Sequence, residues 1–142
     1  MISSFAGKFD FLSNFYPCKV VYDGDEYKSV EHAYQAAKTL DKRLRYVIGK
    51  AYCGGAAKRL GREVVIRPDW EEIKVSIMAD LVRKKFKNDV ELALQLLNTG
   101  DEGLEEGNTW GDRFWGVYKG RGENNLGKIL MSVREEIRKD IE

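Results

Sequence analysis

Glu31 and His32 stand side by side in Tyr27-Lys-Ser-Val-Glu-His-Ala-Tyr-Gln-Ala-Ala-Lys38, and His32 is the sole histidine of the chain. Both residue types carry acid–base chemistry, so their positions on a helix matter. At about 100° per residue, Val30, Ala33, Tyr34, Ala37 and Leu40 share one face. Glu31, Gln35 and Lys38 fall together on one flank of it, and His32 lies on the other side near Ala36. Glu31 is also in the first turn, where unpaired N–H groups and the helix dipole favour an ionised carboxylate. A carboxylate held charged suits a general base, or an anion that stabilises a developing cation. The alternative is structural, because acidic residues are common at helix N-termini for the dipole alone. A single histidine is more often packed than catalytic, and His32 is read as a bystander.

The second candidate stretch is Asn108-Thr-Trp-Gly-Asp-Arg-Phe-Trp-Gly116. Trp110, Phe114 and Trp115 surround Asp112, and aromatic faces suit stacking on a planar heterocycle. Asp112 would orient a ribose hydroxyl or act as a second carboxylate. Equally, the aromatics would plug the core, with Asp112 as a turn former. Gly122-Glu-Asn-Asn-Leu-Gly127-Lys128 matches part of a Walker A loop, but Ile129 stands where magnesium binding needs Ser or Thr. An NTPase is excluded on that ground and by the missing α/β alternation. The glycines, a helix start and Lys128 still suit a phosphate. Asn124 would cap that helix or touch ligand hydroxyls. Gly54-Gly55 ahead of Lys58 and Arg59 is a weaker anion site of the same type.

These groups need elements to hold them. Phe9 to Phe15 reads as strand, and Lys19–Tyr22, Asp23-Gly24-Asp25 and Glu26-Tyr27 read as a hairpin. A helix capped by Ser29 runs to about Leu40. A looser helix covers Leu44 to Tyr52, Gly54-Gly55 breaks the chain, and Ala56 to Leu60 is a short helix closed by Gly61. Val64–Ile66 reads as a strand. Asp69 and Glu72 form a capping-box pattern for a helix with Ile73, Ile77, Leu81 and Val82 inward as far as Phe86. The Lys84-Lys85-Phe86-Lys87 run reads as a solvated face of it, or as a local nucleic-acid patch. Asn88 or Asp89 caps the next helix, with Val90, Leu94 and Leu97 inward and Gly100 as stop. A last helix runs from Asn124 to Ile141. The expectation is a compact, predominantly helical α+β fold with a small N-terminal β element, forming one domain over residues 1–142.

Composition narrows the function. The chain has 142 residues, 43% hydrophobic and 33% charged, with formal net charge +1. No global field marks a dedicated nucleic-acid or membrane binder. No apolar run approaches the roughly 20 residues that cross a bilayer, and no signal-peptide pattern opens the sequence. The expectation is a cytoplasmic protein without a membrane partner. Cys18, Cys53 and His32 are one ligand short of a structural zinc site, so a reduced cysteine pair and no metal or other cofactor are expected.

Six stretches in order, "FLSNFYP", "YKSVEHAYQAAK", "AKRLGREV", "RPDWEEIKVSIMADLVRKKF", "NTWGDRFWGV" and "GENNLGKILMSVR", resemble the NADAR family from about Phe5 to Arg134. The resemblance implies a mostly helical domain and N-glycosidase chemistry. The implied substrates are the early phosphoribosylated aminopyrimidine intermediates of riboflavin synthesis or, alternatively, ADP-ribose on guanine, with nucleic acid entering only as modified substrate. A non-catalytic ADP-ribose-binding module is the third reading. The family's motif residues fall on Asn14, Glu31, Lys58, Trp70, Trp110, Asp112, Asn124 and Lys128. On that basis Glu31 carries the reaction with Asp112 assisting. Trp110 and Trp70 hold the heterocycle, Lys58 and Lys128 bind phosphate, and Asn14 and Asn124 contact substrate.

Overall fold

Asp23 and Gly24 both take positive φ, at 49° and 85°. A two-residue type I′ turn demands that geometry, and Asp-Gly supplies it. The turn joins β1 (Val20–Tyr22) to β2 (Asp25–Tyr27) in antiparallel register, with Val20 opposite Tyr27. The structure, a computed structural model, describes residues 1–142. Its chain forms two compact units, one of Asn14–Lys85 and one of Met1–Ser13 with Phe86–Glu142. The elements are helical with small sheets, an α+β fold as expected. No helix is long and apolar enough to cross a membrane.

The Asn14–Lys85 unit is built on α1 (Val30–Ala37), which packs against the hairpin, α2 (Lys42–Gly49) and α3 (Gly54–Gly61). Every residue of α1 is buried. Alanines at 33, 36 and 37 let neighbours approach closely, so the polar residues between them are enclosed as well and must find partners. Ser29 caps α1 by accepting the His32 N–H at 3.1 Å. The helix ends at Ala37, short of Leu40, because Asp41 already caps α2 by accepting from Arg43 and Leu44. Gly54-Gly55 does not break the chain; it opens α3, with the Cys53 sulfur accepting from the Ala56 N–H.

Helix α4 (Trp70–Lys87) buries Trp70, Met78, Leu81 and Val82, while Ile73 and Ile77 are only half-buried. The Asp69 carboxylate before it takes two hydrogen bonds from Arg67, at 2.7 and 3.2 Å. The reading of Lys84–Lys87 as a solvated face fails at Lys85, which is 2% exposed with its ammonium 5.6 Å over the Tyr16 ring. Its aliphatic stem and a cation–π contact make that burial tolerable. Val64–Ile66 is not a strand, and Val65 is 89% exposed. The hairpin pairs only with itself, and no strand of either sheet takes up this segment.

In the second unit, Gly7–Leu12 is a 3-10 turn rather than the expected strand. Its buried residues, Phe11 and Leu12, are adjacent, so the alternation a strand requires is missing. Phe11 meets Phe86 edge-on at 6.5 Å. Asp89 caps α5 (Val90–Leu97) through the Leu92 N–H at 3.1 Å. The helix buries Leu92 and Leu96; of the expected Val90, Leu94 and Leu97, the first two are exposed and Leu97 is half-buried. Two leucine stripes exist in Val-Glu-Leu-Ala-Leu-Gln-Leu-Leu, and the one facing α6 (Asn125–Asp140) is buried. α6 itself buries Leu126, Leu130, Val133 and Ile137 at helical spacing. β3 (Gly107–Asn108) and β4 (Val117–Tyr118) form a short parallel pair.

Candidate active site

Glu31 is positioned through its backbone N–H and through the start of its helix. Its N–H donates to the Asn14 carbonyl at 3.0 Å, and the helix start set by Ser29 puts its side chain over Gln35, one turn on. The carboxylate is buried, with the residue 7% exposed, and its Oε1 accepts from Gln35 Nε2 at 2.7 Å. A buried carboxylate is costly unless charges and donors answer it. Lys38, at the end of α1, is close enough for Glu31 to favour its charged form. Burial nevertheless holds the Lys38 ammonium below its ordinary pKa, and Lys58 and Arg62 of α3 and Lys74 of α4 push it the same way. Glu31, Lys58, Arg62 and Lys74 thus all act on Lys38, and Lys74 is itself paired with Glu71 at 2.6 Å. Aromatic groups adjoin them: Lys38 Nζ lies 5.7 Å from the Tyr34 ring centre, and Tyr34 packs on Trp70 at 5.0 Å. Trp70 itself is buried, 5% exposed. The Asn14 side chain donates to the Met78 sulfur at 3.5 Å.

His32 is fully engaged elsewhere. Its Nε2 lies 2.9 Å from the Ala51 carbonyl, which can only accept, so Nε2 carries the proton. Nδ1, 2.7 Å from Ser29 Oγ, then accepts from that hydroxyl. The ring is neutral, buried, and held below its ordinary pKa of 6.5, first by burial and further by Lys28, against the opposing bond to Ala51. A depressed histidine pKa means the unfolded chain takes up a proton before the folded one does. Stability from this group is therefore complete above about pH 6.5 and falls as pH drops toward the folded value. A His32→Asn variant should show a flatter dependence of melting temperature on pH between about 7 and 5 than the parent chain. Equal slopes would mean that His32 is not held neutral.

The other four predicted residues lie in the second unit. Trp110 is 59% exposed. Asp112 Oδ1 accepts from the N–H groups of Phe114 and Trp115 at 3.0 and 2.8 Å. The Asn108 side chain accepts from Asp112 N at 3.0 Å and donates to its carbonyl at 2.8 Å. The loop is thus braced by its own side chains, and Phe114 and Trp115 meet edge-on at 4.8 Å. Asn124 takes left-handed backbone, φ 53°, and its side chain makes no cap bond to α6. It instead accepts from Glu106 N at 3.0 Å and donates to the Leu104 carbonyl at 2.9 Å. Lys128 is exposed. A Cβ at Gly127 would sit 2.1 Å from the Leu104 oxygen, so this glycine allows close backbone packing.

The NADAR domain model matches residues 4–138. This chain belongs to the NADAR family. Among NADAR relatives, the N-glycosidase YbiA of Escherichia coli is 36% identical over 129 residues, covering 89% of this chain and 80% of that protein. An N-glycosidase of Nostoc punctiforme is 40% identical over 133 residues, with 89% and 85% covered. A riboflavin biosynthesis protein of Vibrio vulnificus is 46% identical over 130 residues, but the match spans only 35% of that longer protein. The NMR structure of E. coli YbiA superimposes with a TM-score of 0.83 at 34% identity, covering 99% of this chain and 89% of that one.

Within this NADAR chain, Asn14, Glu31, Lys58 and Trp70 fall in one unit and Trp110, Asp112, Asn124 and Lys128 in the other. No group of three or more His, Cys, Asp or Glu side chains is arranged to hold a metal ion. Gln35 and Lys38 share the flank of Glu31 as the helical spacing predicts, and the i, i+4 spacing of Glu31 and Gln35 is the signal for their contact. Nothing in the spacing marks Arg62 and Lys74.

Proposed function

We propose that this chain is an N-glycosidase that hydrolyses the C–N bond between a phosphoribosyl group and a nitrogenous heterocycle. The observation that carries the reading is the buried Glu31 carboxylate, hydrogen-bonded by Gln35 and acting on Lys38, on which Lys58 and Arg62 also act. As the C–N bond breaks, its electron pair leaves with the nitrogen and the anomeric carbon becomes oxocarbenium-like. An adjacent carboxylate shielded from bulk water stabilises that charge strongly. It also accepts a proton from the water whose oxygen bonds to the carbon, and that proton is then given up to the departing nitrogen, so one water supplies both the hydroxyl and the proton. The cations match the phosphate that such a sugar carries. Relatives named N-glycosidases, matched over four-fifths of their length or more, support the same chemistry.

The proposed substrates are the early phosphoribosylated aminopyrimidines of riboflavin synthesis, and the name of the Vibrio vulnificus relative supports that choice. Purified protein incubated with this N-glycoside, without added metal, should release ribose 5-phosphate and the free pyrimidine, followed by chromatography. ADP-ribosylated guanine in DNA, assayed in parallel, should turn over more slowly. Faster turnover of the modified DNA would move the assignment to that substrate, and binding without turnover of either would leave a nucleotide-binding module.

A further inference from the structure

Gln35 is 3% exposed, and its amide is divided between two very different surroundings. Nε2 donates to Glu31 Oε1 at 2.7 Å, whereas Oε1 is buried with no hydrogen-bond partner. A buried acceptor left unsatisfied is unfavourable, and an apolar side chain of similar volume would avoid it. Turning the amide over would set its oxygen against the carboxylate oxygen and lose the bond from Nε2. Gly61 of α3 closes the other side. A Cβ built there would lie 1.9 Å from Gln35 Oε1, 2.8 Å from its Cδ and 3.2 Å from its Cβ. The Gln35 amide would have to shift, and shifting it draws Nε2 away from Glu31.

We infer that Gln35 is a positioning residue that fixes the Glu31 carboxylate for reaction, and that residue 61 is glycine to keep Gln35 in that contact. This rests on the reading of Glu31 as the reacting carboxylate. A group that orients the reacting one without binding substrate alters turnover more than affinity. Gln35→Leu, which keeps the volume and removes the donor, should lower kcat about tenfold with KM changed by no more than about twofold.

The decisive test is a cycle of Gln35→Ala, Gly61→Ala and the double variant, with steady-state kinetics on the N-glycoside and circular dichroism to confirm folding. Gly61→Ala should lower kcat about tenfold in the parent chain but by less than about twofold in the Gln35→Ala background, where the group it strikes is gone. Equal effects of Gly61→Ala in both backgrounds would overturn the proposal. If Gly61→Ala alone does not fold, Gln35→Leu decides, and an unchanged kcat there overturns it. Full activity in Glu31→Gln would instead remove the reading beneath it and take this inference along. An inactive Glu31→Gln beside a fully active Gln35→Leu would overturn Gln35 alone.

Discussion

A Glu31→Gln variant should lose about a thousandfold or more in kcat for N-glycoside hydrolysis while remaining folded. The substitution is nearly isosteric, and the new amide oxygen still accepts from Gln35 Nε2, so the contact at 2.7 Å survives in kind. What disappears is the negative charge. In a site shut off from bulk water that charge acts through a low effective dielectric, where its attraction for a ribosyl cation far exceeds its value in solution. The ground-state sugar is uncharged at the anomeric carbon, so KM should change much less than kcat. Stability should hold or rise, since the variant no longer encloses an ionised group that is 7% exposed. Kinetics with a melting curve on the same sample checks both halves. A folded variant with parental kcat would remove Glu31 from the chemistry.

Much of the local structure around Glu31 was legible because it depends on neighbours in sequence. Ser29 as cap, the Asp23-Gly24 turn and the shared flank of Glu31 and Gln35 all follow from spacings of a few residues. The failures occur where a second element decides. Val-Glu-Leu-Ala-Leu-Gln-Leu-Leu holds two leucine stripes, and packing against α6 and the Gly7–Leu12 turn selects Leu92 and Leu96. Lys85 looks like surface by residue type, yet Tyr16, far along the chain, covers it. For the site, Glu31 stands out by its place in the first helical turn and Lys58 by the glycine pair ahead of it, and family resemblance points to both. No spacing rule could reveal that α3 brings Gly61 against Gln35, or that Arg62 and Lys74 act on Lys38. Those relations join residues more than twenty positions apart, and only the packed unit creates them.

Asp112 is the harder case, because its residue type and its contacts point in different directions. As a second acid beside stacking aromatics it suggests chemistry. Its Oδ1, however, already accepts from Phe114 N and Trp115 N, so the carboxylate behaves as a turn-forming acceptor for the tryptophan loop. Two substitutions separate the roles. Asparagine keeps the Oδ1 acceptor and discards the charge, whereas alanine discards both. If loop geometry is what Asp112 supplies, Asp112→Asn should retain kcat within about tenfold, and Asp112→Ala should lose about 100-fold as the aromatics leave their places. The same alanine variant should expose more aromatic surface, which tryptophan fluorescence would register. A loss in Asp112→Asn as large as in Asp112→Ala, with fluorescence unchanged, would instead assign the charge itself to the reaction. The Asn108 side chain offers an internal control, since it brackets Asp112 through that residue's own N–H and carbonyl. Asn108→Ala should therefore reproduce the alanine effect at Asp112 in direction, because both changes release the same loop.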